Sequence, residues 1–136
     1  MSRNWSKFCL DEHSDGRGTL GVLELSEHPE VKRVFFITDV SDMPTCNGRR
    51  GHHAVRHAEI IICAQGSCLV SLGDGVTEQE QMLRKFEGLR VHPYVWIQLR
   101  RFEPGTVLCV LAEKHFAESE YIRDYEEWKT CVAAKT

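Results

Sequence analysis

The fold the sequence predicts is all-β: a small sandwich or barrel ending in one short C-terminal helix. Three observations predict it. Runs rich in β-branched and aromatic residues recur along most of the 136 residues. Turns containing Gly or Pro separate those runs at regular spacing. Helical spacing of apolar residues is confined to the tail, where Tyr121, Tyr125 and Trp128 fall at i, i+4 and i+7.

Each element follows from local signals. Leu20–Leu25 is the first strand candidate, after a Gly16–Gly18 turn. Lys32–Val40 (KRVFFITDV) is dense in residues that favour a pleated surface. Ser41–Gly51 is a polar loop holding Pro44, Asn47-Gly48 and Gly51. His52–Gln65 reads as one long strand, and Gly66 separates it from Ser67–Leu72. Gly73-Asp74-Gly75 closes a hairpin, and Gln81–Phe86 leads on to Gly88. Leu89–His92 is a short strand stopped by Pro93. Val95–Phe102 and Val107–Ala112 flank a Glu103-Pro104-Gly105 turn. The aromatic stripe of the tail helix packs against the body.

Composition narrows the function classes. The length suits one domain, residues 1–136, with a real core. A net charge of −3 leaves no basic excess for a nucleic-acid backbone. The longest apolar runs, Ile60–Ala64 and Thr106–Ala112, are too short to cross a bilayer. Met1–Leu10 has no apolar signal core, so a cytosolic protein without nucleic-acid or membrane partners is expected. Six cysteines occur without a CxxC pair, which argues against a zinc knuckle. Cys63, Cys68 and Cys109 read as small core residues, and Cys46 as a loop thiol.

The chemical centre is the run His52-His53-Ala54-Val55-Arg56-His57-Ala58-Glu59. In one continuous strand, His53, Val55, His57 and Glu59 share a face, and His52, Ala54, Arg56 and Ala58 share the other. Two imidazoles and a carboxylate then enter one cavity. A carboxylate beside an imidazole fixes its tautomer and raises its basicity. The alternative is a solvated edge strand. A one-residue slip would reverse the faces, so His52 rivals His53.

Glu59 followed six residues later by Gly66 resembles the end of the first cupin motif, G-x5-H-x-H-x3,4-E-x6-G, with His53 at the first His place. Val55 stands at the second His place, and Ile97 where a further His is expected. A metal site would therefore need both His57 and His92 as substitutes, so it is the minority reading.

A closer resemblance covers roughly residues 20 to 128. The matching pieces are Lys32–Ile37, Arg50-Gly51-His52-His53-Ala54 and Ile62–Ser67. Further on come Asp74-Gly75, Gly88-Leu89, Pro93, Trp96 and Val107–Ala112. The most specific piece is the tail Glu120–Trp128 (EYIRDYEEW). Together they resemble the dTDP-4-dehydro-6-deoxyglucose 3,4-ketoisomerase family, the metal-independent nucleotide-sugar branch of the cupins. The resemblance implies a cupin-type β-barrel, or jelly roll. It implies an isomerase that moves the keto group of a dTDP-linked 4-keto-6-deoxy sugar from C4 to C3, by His-mediated proton transfer through an enediolate. That chemistry serves deoxysugar and surface-glycan biosynthesis and needs no cofactor. The resemblance also implies a homodimer that exchanges N-terminal strands.

On this reading His53 is the base, with His52 its rival. His57 is a second acid or an orienter, and Glu59 positions an imidazole. Arg50 contacts phosphate or the enediolate, and Arg33 the diphosphate. Gln98 and Arg100 share a strand face with Trp96 and line the same pocket. Trp96 or Tyr94 stacks on the nucleotide base. Phe36 lies in the segment where the family carries a Tyr. Val55, Phe36 and Ile97 depart from the family pattern. They favour one alternative, a catalytically altered nucleotide-sugar binder; a separate one is a metal-dependent cupin using His53, His57 and Glu59.

Overall fold

The computed structural model describes residues 4–26, 30–40 and 50–135, and of 50–52 the backbone alone. Among these described residues, twelve strands and one α-helix follow each other. They are β1 (Trp5–Cys9), β2 (Asp11–Asp15), β3 (Gly18–Val22), β4 (Arg33–Ile37), β5 (Arg50–Val55) and β6 (Glu59–Gln65). Then come β7 (Ser67–Gly73), β8 (Glu78–Arg84), β9 (Glu87–Val91), β10 (Trp96–Arg100), β11 (Val107–Ala112), β12 (Tyr121–Ile122) and α1 (Tyr125–Ala133). Among the described residues, no helix is long and apolar enough to cross a membrane.

Two five-stranded sheets face each other. The first has the order β1-β9-β6-β11-β4, and the second β12-β5-β10-β7-β8. Alternation along each strand sends one set of side chains between them. Ile61 and Cys63 of β6, Leu108 and Val110 of β11, and Leu89 of β9 face Val70 and Leu72 of β7, Leu83 of β8, and Ile97 and Leu99 of β10. This is the core. Cys63 and Cys68 lie in it, fully buried. Cys109 instead joins a smaller cluster on the outside of the first sheet with Ile60, Ile62 and Leu111.

Local chemistry sets the turns. Asp74 accepts from the backbone N–H groups of Val76 and Thr77 and shapes the β7–β8 hairpin. Gly66 sits at φ +81 between β6 and β7, hard against Thr106. Asp124 caps α1 by accepting from the Glu127 N–H at 3.0 Å. The helix buries Trp128 against Ala54, Trp96 and Ile122 on the outside of the second sheet. The Trp128 Nε1–H donates to the Tyr94 carbonyl at 2.8 Å.

Three expectations are corrected. The run from His52 to Gln65 is not one strand: β5 and β6 belong to opposite sheets, and Arg56-His57-Ala58 crosses between them. A long polar run in a sandwich can change layers without a Gly or Pro to mark the step. The tail is not one helical face either. Tyr121 lies in β12, opposite Val55, and the helix begins at Tyr125. The N-terminus holds β1 and β2, whose polar sequences give little strand signal; among the described residues β2 pairs only with β3. Residues 41–49, with the Cys46 thiol, lie outside the described residues.

Candidate active site

Pairing register decides which polar side chains enter the sandwich. His53 is paired with Ile97, a core residue, so both face the interior. Val55, two residues on, shares that face and is paired with Tyr121 of β12. The His53 and Tyr121 rings meet edge to face with centroids 5.2 Å apart.

The opposite sheet supplies a charged row. Arg33 of β4 pairs with Ala112 of β11, Ala112 with Glu59 of β6, Glu59 with Val91 of β9, and Val91 with Trp5 of β1. Paired residues point to one face, so Arg33 and Glu59 enter the interior with Trp5 and Val91. The Arg33 Nη2–H donates to the Tyr121 hydroxyl at 2.7 Å. The same guanidinium lies 3.9 Å from Glu59 Oε2 and over the rings of Phe35 and Phe116. Arg33 therefore ties the two sheets together at this end.

His57 completes the cluster from the crossover. Its side chain is 1% exposed. Its Nδ1 lies 2.9 Å from Glu120 Oε1, in the 3-10 turn before β12. Its Nε2 lies 3.7 Å from Glu59 Oε2. Neither of those last two atoms has a hydrogen-bond partner among the described residues. Burial raises the Glu59 carboxyl to about 7, against the opposing pull of Arg33. A carboxyl poised near neutrality can give or take a proton under working conditions.

The structure thus brings His53, Arg33, His57 and Glu59 to one end of the interior. His57 arrives by the chain crossing and not by strand alternation. The side chains of Arg50 and His52 lie outside the described ones. Four of the residues expected to bind substrate lie away from the face that carries His53. Phe36 points outward from β4 and is 65% exposed, because Arg33 and Phe35 take the inward positions of that strand. Trp96, Gln98 and Arg100 do share a face, but it is the face opposite His53. Trp96 pairs with Ala54 and supports α1 from outside. Together the three line an outer groove of about 750 Å³, where Arg100 is paired with Glu80. The metal-dependent reading is not supported by grouping: among the described residues, no three His, Cys, Asp or Glu side chains are placed to hold one ion.

Glu120, Tyr121 and Phe116 escaped the sequence reading. The i, i+4, i+7 spacing places Tyr121 on a helical stripe, because periodicity cannot reveal a strand of two residues. The available signal was the close family-like match of the tail itself, where Glu120-Tyr121 begins the most specific fragment.

Comparison with known proteins gives consistent matches. The family described as FdtA: WxcM-like, C-terminal, matches residues 3–133. The chain is 36% identical over 123 residues to TDP-4-oxo-6-deoxy-alpha-D-glucose-3,4-oxoisomerase of Aneurinibacillus thermoaerophilus, covering 88% of this chain and 86% of that one. A 3,4-ketoisomerase structure from Helicobacter canadensis superposes with a TM-score of 0.84 at 36% identity, over 96% of this chain and 98% of the other. QdtA, a sugar 3,4-ketoisomerase from Thermoanaerobacterium thermosaccharolyticum in complex with TDP, gives 0.88 at 29% identity, over 99% and 98%.

Proposed function

The chain belongs to the FdtA family of WxcM-like, C-terminal domains, and from that premise we propose that it is a sugar-nucleotide 3,4-ketoisomerase. Its substrate is a dTDP-linked 4-keto-6-deoxy hexose, and its product the 3-keto isomer. The observation that carries the reading is His53, facing the interior beside the Arg33–Tyr121 hydrogen bond.

The reaction needs a base at C3, a donor toward the C4 oxygen and a proton for C4. His53 takes the C3 proton, and the electron pair forms the C3–C4 double bond as charge moves onto the C4 oxygen. A neutral imidazole suits that step near neutral pH. Tyr121 accepts a hydrogen bond from Arg33, which leaves its own proton to stabilise the developing oxyanion. A proton then adds at C4 while the C3 hydroxyl proton passes to the C4 oxygen, so C3 becomes the ketone and C4 the hydroxyl. Arg50 remains the candidate for a phosphate contact, and Arg33 is committed to Tyr121 and Glu59. The proton transfers require no metal or redox group.

Assembly as a homodimer is part of the same proposal. The β2–β3 hairpin is a separate two-stranded sheet with most of its residues exposed. Such a hairpin is marginal in water without a covering surface. Val34 and Phe36 expose apolar side chains on the outer face of the first sheet's edge strand. A second copy would bury both features. The five described cysteines are free thiols, which suits the reducing cytoplasm.

The test is proton NMR of dTDP-4-keto-6-deoxyglucose with the protein in deuterated buffer. Deuterium at the exchanging carbon and a 3-keto product, both lost in His53→Asn, support the isomerase and its base. Saturable binding with neither signal would overturn the activity and leave a nucleotide-sugar binder.

A further inference from the structure

The interior holds an unusual pairing. His57 Nε2 and Glu59 Oε2 face each other at 3.7 Å, both buried, and neither has a hydrogen-bond partner among the described residues. On the other side of the imidazole, Nδ1 meets Glu120 Oε1 at 2.9 Å. Glu120 retains a quarter of its side-chain exposure, so it is the solvent-facing end of the row.

The tautomer follows from the partner. A carboxylate can only accept, so the Nδ1 of His57 must carry the hydrogen it gives to Glu120. With a single ring hydrogen, placed on Nδ1, the Nε2 lone pair is aimed at Glu59. A lone pair facing an ionised carboxylate is repulsive. The same lone pair facing a protonated carboxyl is attractive. We propose that Glu120 is a positioning residue: by fixing the tautomer of His57 it keeps a proton on Glu59, and Glu59 is thereby the interior group that donates to C4 in the isomerisation. This deepens the ketoisomerase reading and rests on it.

The surroundings agree. Glu59 lies in the inward row with Arg33, on the side where His53 and Tyr121 also point. Its burial favours the neutral form and outweighs the guanidinium at 3.9 Å. The other charged groups near this corner are committed elsewhere or placed outside. Glu113 accepts from the Ala58 N–H, and Arg90 follows the outward face with Ile60. His92 lies beyond β9 and is exposed. When Glu59 gives its proton to C4, the electron pair of the enediolate forms the new C–H bond. The carboxylate left behind recovers a proton from the one His53 removed at C3 or from solvent, so the cycle closes without an added reactant.

Glu120→Gln and Glu120→Asp test the inference. A Gln amide can donate to Nδ1, which would move the ring hydrogen to Nε2 and favour an ionised Glu59. Nitrogen-15 NMR of the imidazoles should show His57 with Nδ1–H in the wild-type protein and in Glu120→Asp, and with Nε2–H in Glu120→Gln. The alkaline limb of kcat for isomerisation should move down by about one pH unit in Glu120→Gln, and stay in place in Glu120→Asp. A wild-type His57 carrying its hydrogen on Nε2 overturns the inference. So does an unmoved alkaline limb in Glu120→Gln. If the wild-type protein does not isomerise the sugar, the ketoisomerase reading falls and the C4-donor role with it. The tautomer measurement still decides the positioning role on its own.

Discussion

Replacing Glu59 by Gln removes a charge from the interior while keeping the shape of a protonated carboxyl. Burial raises this carboxyl from 4.5 to about 7. The folded form therefore holds its proton more tightly than the unfolded chain does. Below about pH 4 both forms are protonated, and the group adds no pH dependence. Between the two values the folded form binds more protons, so stability falls as pH rises. Above about 7 the loss is complete and constant. Full displacement corresponds to roughly 3 kcal/mol, and at pH 6 to about 2 kcal/mol. Glu59→Gln escapes this loss. Its stability relative to the wild type should climb by about 3 kcal/mol between pH 4 and pH 8, whatever constant offset the amide introduces. Urea unfolding at a series of pH values reads the difference directly. A flat difference would refute the reasoning. So would a variant that loses ground as pH rises, because it would mean that Arg33 and His57 bind the carboxylate more strongly than burial opposes it.

Two further predictions concern the frame. Gly66→Ala should cost at least about 2 kcal/mol by the same unfolding assay. Its Cβ would stand 2.3 Å from Thr106 Oγ1 and 2.8 Å from Thr106 Cα, at a φ of +81. Leu108→Ala should cost about 2–5 kcal/mol, since that side chain is fully buried between the sheets and its removal leaves a cavity.

The frame was largely legible in the sequence. β-branched runs such as Arg33–Ile37 and Val107–Ala112 formed strands where the pattern placed them, and Asp74 shaped the turn expected of it. Alternation left His52 and His53 as rivals for the inward imidazole, and it is the pairing with Ile97 that turns His53 inward. Trp96, Gln98 and Arg100 show the limit of the same rule. Alternation put them on one face, but which face is inward depends on pairing with His53 and on a helix that covers the other side. His57 shows a second limit. No residue in Arg56-His57-Ala58 breaks a strand, so the change of sheet is set by tertiary pairing of β5 and β6 with different partners. Glu120 and Tyr121 were beyond reach of periodicity because their roles come from contacts across 63 and 88 residues of chain.

Those separations carry a consequence for how the protein folds. Loop-closure entropy opposes contacts between distant residues until shorter-range pairing has reduced the effective distance. The β7–β8 hairpin can form from neighbours in sequence, whereas Arg33–Tyr121 and His57–Glu120 need both sheets and the tail in place. Substitutions that weaken these contacts should therefore accelerate unfolding and leave the refolding rate nearly unchanged. Reactive competence then becomes a late milestone on the folding route: a compact intermediate can bury its apolar centre and still have no oriented imidazole at its mouth.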